Sequence, residues 1–485
     1  MSDSPNQVKK RDPADAPFRD RLLEAERKVP GAAALLSLAA FFAPDDIPVD
    51  LFQQQAALYP DALAQVVPDE ARLAALLGVL ADDALIDFKP EARAFSISSA
   101  AQAEARDALG PERDAWAQRA VGMITAAFPE PAPETWEQCE RLVPHLRALN
   151  AHLPADAATR DRAWLLGAAG AYLCERGALA DALPLLETSR AVFERLAAAN
   201  PDSAGAQRNL AVSHQRVGDA LQARNDRRGA LAAHQAALAI FERLAAADTG
   251  RAGSQRDLAV SHERIGDVLR AQRDRRAALA AYEAALPIFE RLAAADPGNA
   301  GLQRDLAVSQ EKLGDALQAQ GDRRAAIAAY QAALTIREGL ATIEPGDAGS
   351  RRDLSVTHLK IGDALAAQGD LLVALAAYQA ALTIREGLAA GDPANAAWQH
   401  AMAFNHGRIG MVHIRQGERQ LALAAFRKGR ETLAALLKAD PGQSSLPGDL
   451  AWFNGQIAFA GFRSFGAKLR IFATKLLVAA RSRSR

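Results

Sequence analysis

A block of sequence centred on a glycine recurs every 48 residues, anchored at Gly170, Gly218, Gly266, Gly314, Gly362 and Gly410. The text around the anchors barely changes. Asn209 to Asp219 reads Asn-Leu-Ala-Val-Ser-His-Gln-Arg-Val-Gly-Asp, and Asp257 to Asp267 and Asp305 to Asp315 differ from it at a few positions. A fixed period of this size is the mark of stacked supersecondary units, each burying its apolar face on its neighbours. It constrains the chain to an elongating array, an architecture that presents a long surface to partners.

Within one block the apolar spacing is helical. Leu306, Leu313 and Leu317 predict a first helix over 302–320, and Ile327, Tyr330, Leu334 and Leu340 a second over 323–343. Gly321-Asp322 is the turn between them, and Glu344–Gly349 resets the chain for the next pair. A glycine inside a helix costs about 1 kcal/mol relative to alanine. Its recurrence therefore predicts a close approach of two helix backbones at Gly314, with Ala326 and Ala333 as the matching shallow surface. Pro287 falls within a second helix and is expected to kink it. Asp449 to Trp452 begins a seventh first helix, the expected cap of the array.

These blocks resemble the tetratricopeptide repeat (TPR) family. Its pattern of Leu-Gly, a bulky residue, Gly, Ala, an aromatic and Ala reads here as Leu313-Gly314, Leu317, Gly321, Ala326, Tyr330 and Ala333. It returns at Ile265-Gly266, Leu269, Ala278, Tyr282 and Ala285, and again at Ile361-Gly362, Leu365, Gly369, Ala374, Tyr378 and Ala381. The family's usual length is 34 residues, so each helix here is longer by about two turns. The resemblance implies an all-α, TPR-like α-solenoid of six repeats over 156–445, which binds a protein or peptide partner and holds no cofactor.

Residues 17–110 do not repeat. Helices over 31–42 and 71–82, followed by strand-like runs at Leu85–Phe88 and Phe95–Ser98, predict a small winged-helix-like domain, with Pro44 to Pro48 as a turn. Residues 111–155 form a helical connector, with helices over 114–128 and 135–152. Residues 1–16 are expected to be a disordered tail, and 446–485 a capping helix with a basic tail. The run from Ala32 to Phe52 resembles the winged-helix region of signalling NTPases of the STAND class, whose domain order is NB-ARC, winged helix, repeats. Ser98 occupies the place where that family often has a nucleotide-contacting His. No G-x-x-x-x-G-K-[ST] phosphate loop occurs in the sequence. The resemblance thus implies the sensor arm of such an NTPase, its nucleotide-binding core on another chain or lost.

Charge excludes some functions. Residues 17–110 carry eight Lys/Arg against fifteen Asp/Glu, a net charge of −7. A DNA-reading module needs the opposite sign to displace counterions, so nucleic acid is not an expected partner. Cys139 and Cys174 are too few for a disulfide framework or a zinc cluster, and read as small buried apolar residues of a cytoplasmic protein. The polar first 20 residues hold no secretion signal, and Gly31 to Pro44 is shorter than the ~20 residues of a membrane span. His214, His262, His358 and His406 share one repeat position, but equivalent helices stand ~10 Å apart, too far for neighbouring imidazoles to share an ion.

The candidate contact residues are three rows at fixed repeat positions. Asp219, Asp267, Asp315 and Asp363 form an acidic stripe, and Arg216, Arg264, Lys312 and Lys360 a basic one three residues earlier. Arg208, Arg256, Arg304 and Arg352 mark the start of each first helix. The acidic and basic rows read either as i,i+3 ion pairs within a block or as a charged strip gripping an extended peptide. No nucleophile elbow, metal motif or nucleotide loop is present, so the expected function is a non-catalytic scaffold or adaptor in bacterial-type signalling. From Arg463 to Arg485 there are seven basic residues and no acidic ones, with Phe465, Leu469, Phe472 and Leu476 on one helical face. This segment reads as a cap helix and tail, the alternative being contact with an anionic membrane.

Overall fold

The computed structural model describes residues 17–53, 59–154, 157–442 and 444–461. The N-terminal tail and the basic segment from Arg463 to Arg485 lie outside the described residues. The chain divides into two compact units, Met1–Asp248 and Thr249–Arg485.

The first unit opens with α1 (Phe18–Lys28), α2 (Ala32–Ala39), β1 (Ile47–Pro48), α3 (Asp50–Gln53), α4 (Asp61–Ala64), α5 (Glu70–Asp82), β2 (Asp87–Lys89), β3 (Ala94–Ser96) and α6 (Ser99–Ala108). The strands make an antiparallel sheet in the order β1-β3-β2, with Ile47 opposite Phe95 and Phe88 opposite Phe95. This is the helix-rich, small-sheet arrangement of a winged-helix-like module. Two sequence expectations shift. The strands sit tighter on their turn than 85–88 and 95–98, because Arg93 adopts φ 48° and closes a short hairpin. The expected turn at Pro44 to Pro48 contributes a third strand, since its pairing partner lies far along the chain where local sequence gives no sign.

Phe41, Phe42, Phe52 and Phe95 fill the module's centre, each at most 1% exposed. Gln102 on α6 donates to the carbonyls of Ala39 and Phe42, both at 3.0 Å, satisfying the C-terminus of α2. Ser98 caps α6, its hydroxyl accepting from Ala101 N–H at 3.2 Å. The connector helices α7 (Arg113–Ala127) and α8 (Trp136–His152) share one hydrophobic cluster with this module and with the first repeat helices, α9 (Arg160–Glu175) and α10 (Leu179–Ala199). His145 on α8 lies 3.1 Å from the carbonyl of Asp46 and edge-on to Phe42. Cys139 is fully buried, whereas Cys174 is only half-buried. The second repeat, α11 (Ala204–Ala223) and α12 (Arg227–Ala247), completes the unit.

The second unit contains α13 (Ala252–Ala271), α14 (Arg275–Ala295), α15 (Ala300–Gln320), α16 (Arg323–Ile343), α17 (Ala348–Gln368), α18 (Leu371–Gly391), α19 (Ala396–Gln416), α20 (Arg419–Ala439) and α21 (Leu446–Gly461). These are four further helix pairs of the TPR-like α-solenoid and a lone first helix at the end. Two residue types shape the turns inside the pairs. Gly321, Gly369 and Gly417 take φ of 97°, 106° and 81°, which ends the first helix at low steric cost. Asp322 then caps the second helix, accepting from Ala325 N–H at 3.0 Å, and Asp274 does the same for Ala277.

The recurrent helical glycine has a different partner from the expected backbone. A Cβ on Gly314 would stand 2.5 Å from Tyr330 Cε1, and the same holds for Gly362 with Tyr378 and Gly410 with Phe426. The glycine is a seat for an aromatic ring from the second helix. Pro287 lies inside α14, which continues through it from Arg275 to Ala295. Its ring lies on the exposed face, where the carbonyl it leaves unbonded can take water. At the end, α21 packs Leu446, Phe453 and Ala460 on α20, with Trp452 edge-on to Phe426. Among the described residues one helix, α18, is long and apolar enough to cross a membrane. In the structure it packs between α17 and α19 as the second helix of its pair.

Candidate interaction surface

The three charged rows lie on the first helices, and in the second unit the acidic row is tied to basic residues of the next block. Lys312 Nζ on α15 lies 2.8 Å from Asp267 Oδ2 on α13, and Lys360 Nζ on α17 lies 3.0 Å from Asp315 Oδ2 on α15. Arg408 on α19 continues the series to Asp363 on α17 at 3.0 Å. The expected i,i+3 pairing inside a block is therefore replaced by pairing 45 residues apart.

Each of these carboxylates holds a second partner. Tyr282, Tyr330 and Tyr378 donate their hydroxyls to Asp267, Asp315 and Asp363 at 2.7, 2.7 and 2.6 Å. Burial, and then the neighbouring carboxylate, push all three phenols well above their ordinary pKa, so they act as fixed donors. Burial alone would lower Lys312, but Glu263 and Asp267 outweigh it and hold the ammonium above its usual value. The result is a ladder of Tyr–Asp–Lys/Arg clamps that welds one first helix to the next.

Sequence reasoning placed the tyrosine in the repeat pattern but missed its bond to the aspartate, for which a signal existed. In the sixth block the residue after the glycine is Met411, and the aromatic is Phe426, which has no hydroxyl. In the first block they are Ala171 and Leu186. An aspartate follows the glycine only where a polar group faces it from the second helix. The second block obeys the same rule, with His234 Nε2 3.6 Å from Asp219 Oδ1.

A second, deeper set of charges also escaped the sequence analysis. Glu311, 7% exposed, accepts from Arg337 Nε at 2.7 Å and from the Thr357 hydroxyl at 2.6 Å, and Arg337 also binds Asp353 at 3.0 Å. Glu263 holds the equivalent place one block earlier, but Phe289 stands where Arg337 would be. Burial pushes its carboxyl above the usual range, against the pull of Lys312 at 3.1 Å.

The arginine row at the helix starts is the most open of the three. The side chains of Arg256, Arg304 and Arg352 are 50%, 41% and 58% exposed. Arg256 pairs with Asp305 at 2.5 Å, Arg304 with Glu344, and Arg352 with Asp353 at 2.8 Å. Arg208 is exposed on α11, Arg216 is half-buried against Gly167, and Arg264 is half-buried on α13. Of the histidine row, His406 is 7% exposed, and burial, with Lys428 nearby, depresses it to about 4. His214 and His358 are half-buried and also lowered by burial. No group of three potential metal ligands occurs among the described residues.

Residues 306–340, the bulk of α15 and α16, match the family model described as the tetratricopeptide repeat. The fourth block is a tetratricopeptide repeat. Five other blocks share its 48-residue period and its helix-pair fold. Solved structures similar to this chain include several described as TPR or TPR-like proteins. BtubC from P. vanneervenii is 19% identical, with 53% of this chain and 92% of that one covered at a TM-score of 0.43. A STAND protein with a TPR sensor from Pyrococcus horikoshii is 13% identical over 93% of this chain and 65% of its own, TM-score 0.38. YrrB, described as a TPR protein with an unusual peptide-binding site, is 18% identical over 53% and 96%, TM-score 0.29. A comparison with curated proteins finds no match.

Proposed function

We propose that this chain is a non-catalytic scaffold whose first-helix face takes a protein or peptide partner in a signalling assembly. The observation that carries this is the clamp ladder. It fixes successive first helices in register, while the open arginines at their starts stand on a rigid, preformed surface. Preorganisation of this kind lowers the ordering cost of binding an extended partner. In this reading the aspartates Asp267, Asp315 and Asp363, with Lys312 and Lys360, hold the surface. Arg256, Arg304 and Arg352 make the contacts, with Arg208, Arg216, Arg264 and Asp219 extending the same repeat positions.

The test is affinity capture from native lysate with the full chain as bait, read by mass spectrometry. The comparison bait carries Arg256→Glu, Arg304→Glu and Arg352→Glu, with helicity and melting checked first. A protein captured by the parent and lost with the reversal supports the scaffold. An identical captured set from both baits refutes the arginine face. A second reading is favoured by the winged-helix-like module preceding the connector and the repeats in sequence: a regulatory arm acting on an NTPase carried by another chain. Capture of a protein with a phosphate-binding loop selects that reading.

A further inference from the structure

In repeats this similar, each departure from the common text is informative. The second helices of blocks two, three and four open alike, on Asp226-Arg227-Arg228, Asp274-Arg275-Arg276 and Asp322-Arg323-Arg324. Block five reads Asp370-Leu371-Leu372 and then Val373, where block four has Ala325. Block six reads Glu418-Arg419-Gln420 and then Leu421. Leu372, Val373 and Leu421 are 77%, 57% and 53% exposed. Val373 and Leu421 hold the same repeat position on α18 and α20, which packing sets about 10 Å apart. Neighbouring exposed apolar side chains mark an interaction site, where scattered single ones do not. The charge of this edge changes as well. The two arginines that follow the aspartate in blocks two to four are replaced in block five by leucines. Asp226, Asp274 and Asp322 cap their helices, whereas the Asp370 carboxylate makes no cap bond. Block five thus presents leucines and an unspent carboxylate where its neighbours present guanidinium groups.

The packing of α21 on α20 brings the chain to this edge. Phe453 on α21 stands against Gly429 on α20, where a Cβ would meet its ring at 2.4 Å. Eight residues further on, α21 ends at Gly461, and eight residues back along the antiparallel α20 stands Leu421. The chain therefore leaves α21 level with Leu421. The segment that follows, from Arg463 to Arg485, has seven basic residues and no acidic ones, with Phe465, Leu469, Phe472 and Leu476 at helical spacing. As a helix those four would span about 16 Å, enough to cross from block six to block five. On α21 itself such a helix would find little to cover: among the described residues, no large apolar side chain of α21 is exposed. We propose that the segment from Arg463 turns back over the starts of α20 and α18. Its apolar face covers Leu421, Val373 and Leu372, and its basic residues meet Asp370. The occupant is the chain's own segment, and the inference does not rest on the scaffold reading, which concerns the first helices.

The experiment is hydrogen exchange read by mass spectrometry, on the purified full chain at two concentrations and on two variants. Leu372→Arg with Val373→Ala gives block five the residues that block four carries at those positions, Arg324 and Ala325. Leu469→Ser with Phe472→Ser alters the segment alone. The amides of 465–476 are expected to be protected in the parent and to exchange about tenfold faster, or more, in either variant. Peptides of α16 serve as the control and are expected to exchange as in the parent, showing that the array is folded. Unchanged protection of 465–476 in the block-five variant overturns the proposal, since that is how a helix packed on α21 alone behaves. A parent with no protection over 465–476 overturns it too. So does protection that appears only at the higher concentration, the mark of a segment supplied by a second copy. Protection that appears only when phosphatidylserine vesicles are added assigns the segment to a membrane surface and removes it from this edge.

Discussion

Replacing Arg337 by phenylalanine tests whether the deep charges hold the array together, because the chain already contains that residue opposite Glu263. The substitution strands Glu311, 7% exposed, with only the Thr357 hydroxyl at 2.6 Å and Lys360 at 3.4 Å. Removing one partner of a buried ion pair costs about 3–5 kcal/mol. The two surviving partners reduce this, so we expect about 2–3 kcal/mol. That corresponds to a ~30–140-fold rise in the opening constant at 1.4 kcal/mol per decade. Because repeat arrays unfold in segments, the measurement is hydrogen exchange of α16 peptides rather than a global melt. The double variant Arg337→Phe with Glu311→Leu removes both charges, and Lys360 keeps Asp315 at 3.0 Å. It is expected to return within about 1 kcal/mol of the parent, a coupling typical of residues in one network. Exchange within twofold of the parent for the single variant refutes the reasoning, and so does a double variant whose cost equals the sum of the two singles.

Two further outcomes follow from the packing and the pKa shifts. Gly314→Ala should destabilise by about 1–2 kcal/mol, because its Cβ would meet the Tyr330 ring at 2.5 Å, whereas Gly339→Ala should stabilise by about 0.5–1 kcal/mol, because nothing lies within 4 Å of it; denaturant midpoints moving in the same direction for both would contradict this. His406, depressed to about 4 by burial, stays neutral in the fold while the unfolded chain binds a proton below about 6.5. Stability present above pH 6.5 is thus lost as pH falls toward 4, by about 3 kcal/mol at most, and His406→Phe should flatten that slope in melts run across the range.

The period, the helix pairs and their turns were legible in the sequence because they are local. Apolar spacing sets the helices, Gly321 with φ 97° ends one, and the Asp322 carboxylate starts the next. The helical glycine was legible as a close approach, but not its partner, since a missing Cβ admits a backbone or a ring equally well. The winged-helix-like module was readable down to its hairpin, whereas β1 was not, because its pairing with β3 joins residues nearly fifty apart. The charged rows show the division most clearly. Sequence put Asp315 and Lys312 three residues apart on one helix, and that is all a single chain segment can say. Tertiary structure decided that Asp315 belongs to Tyr330 and Lys360, and that Lys312 belongs to Asp267. It also decided that Glu311 and Asp353, on different first helices, meet at Arg337. Repetition fixes which residue types recur, but ion pairing depends on distances of a few ångströms between helices, and only the packing of one block on the next sets those.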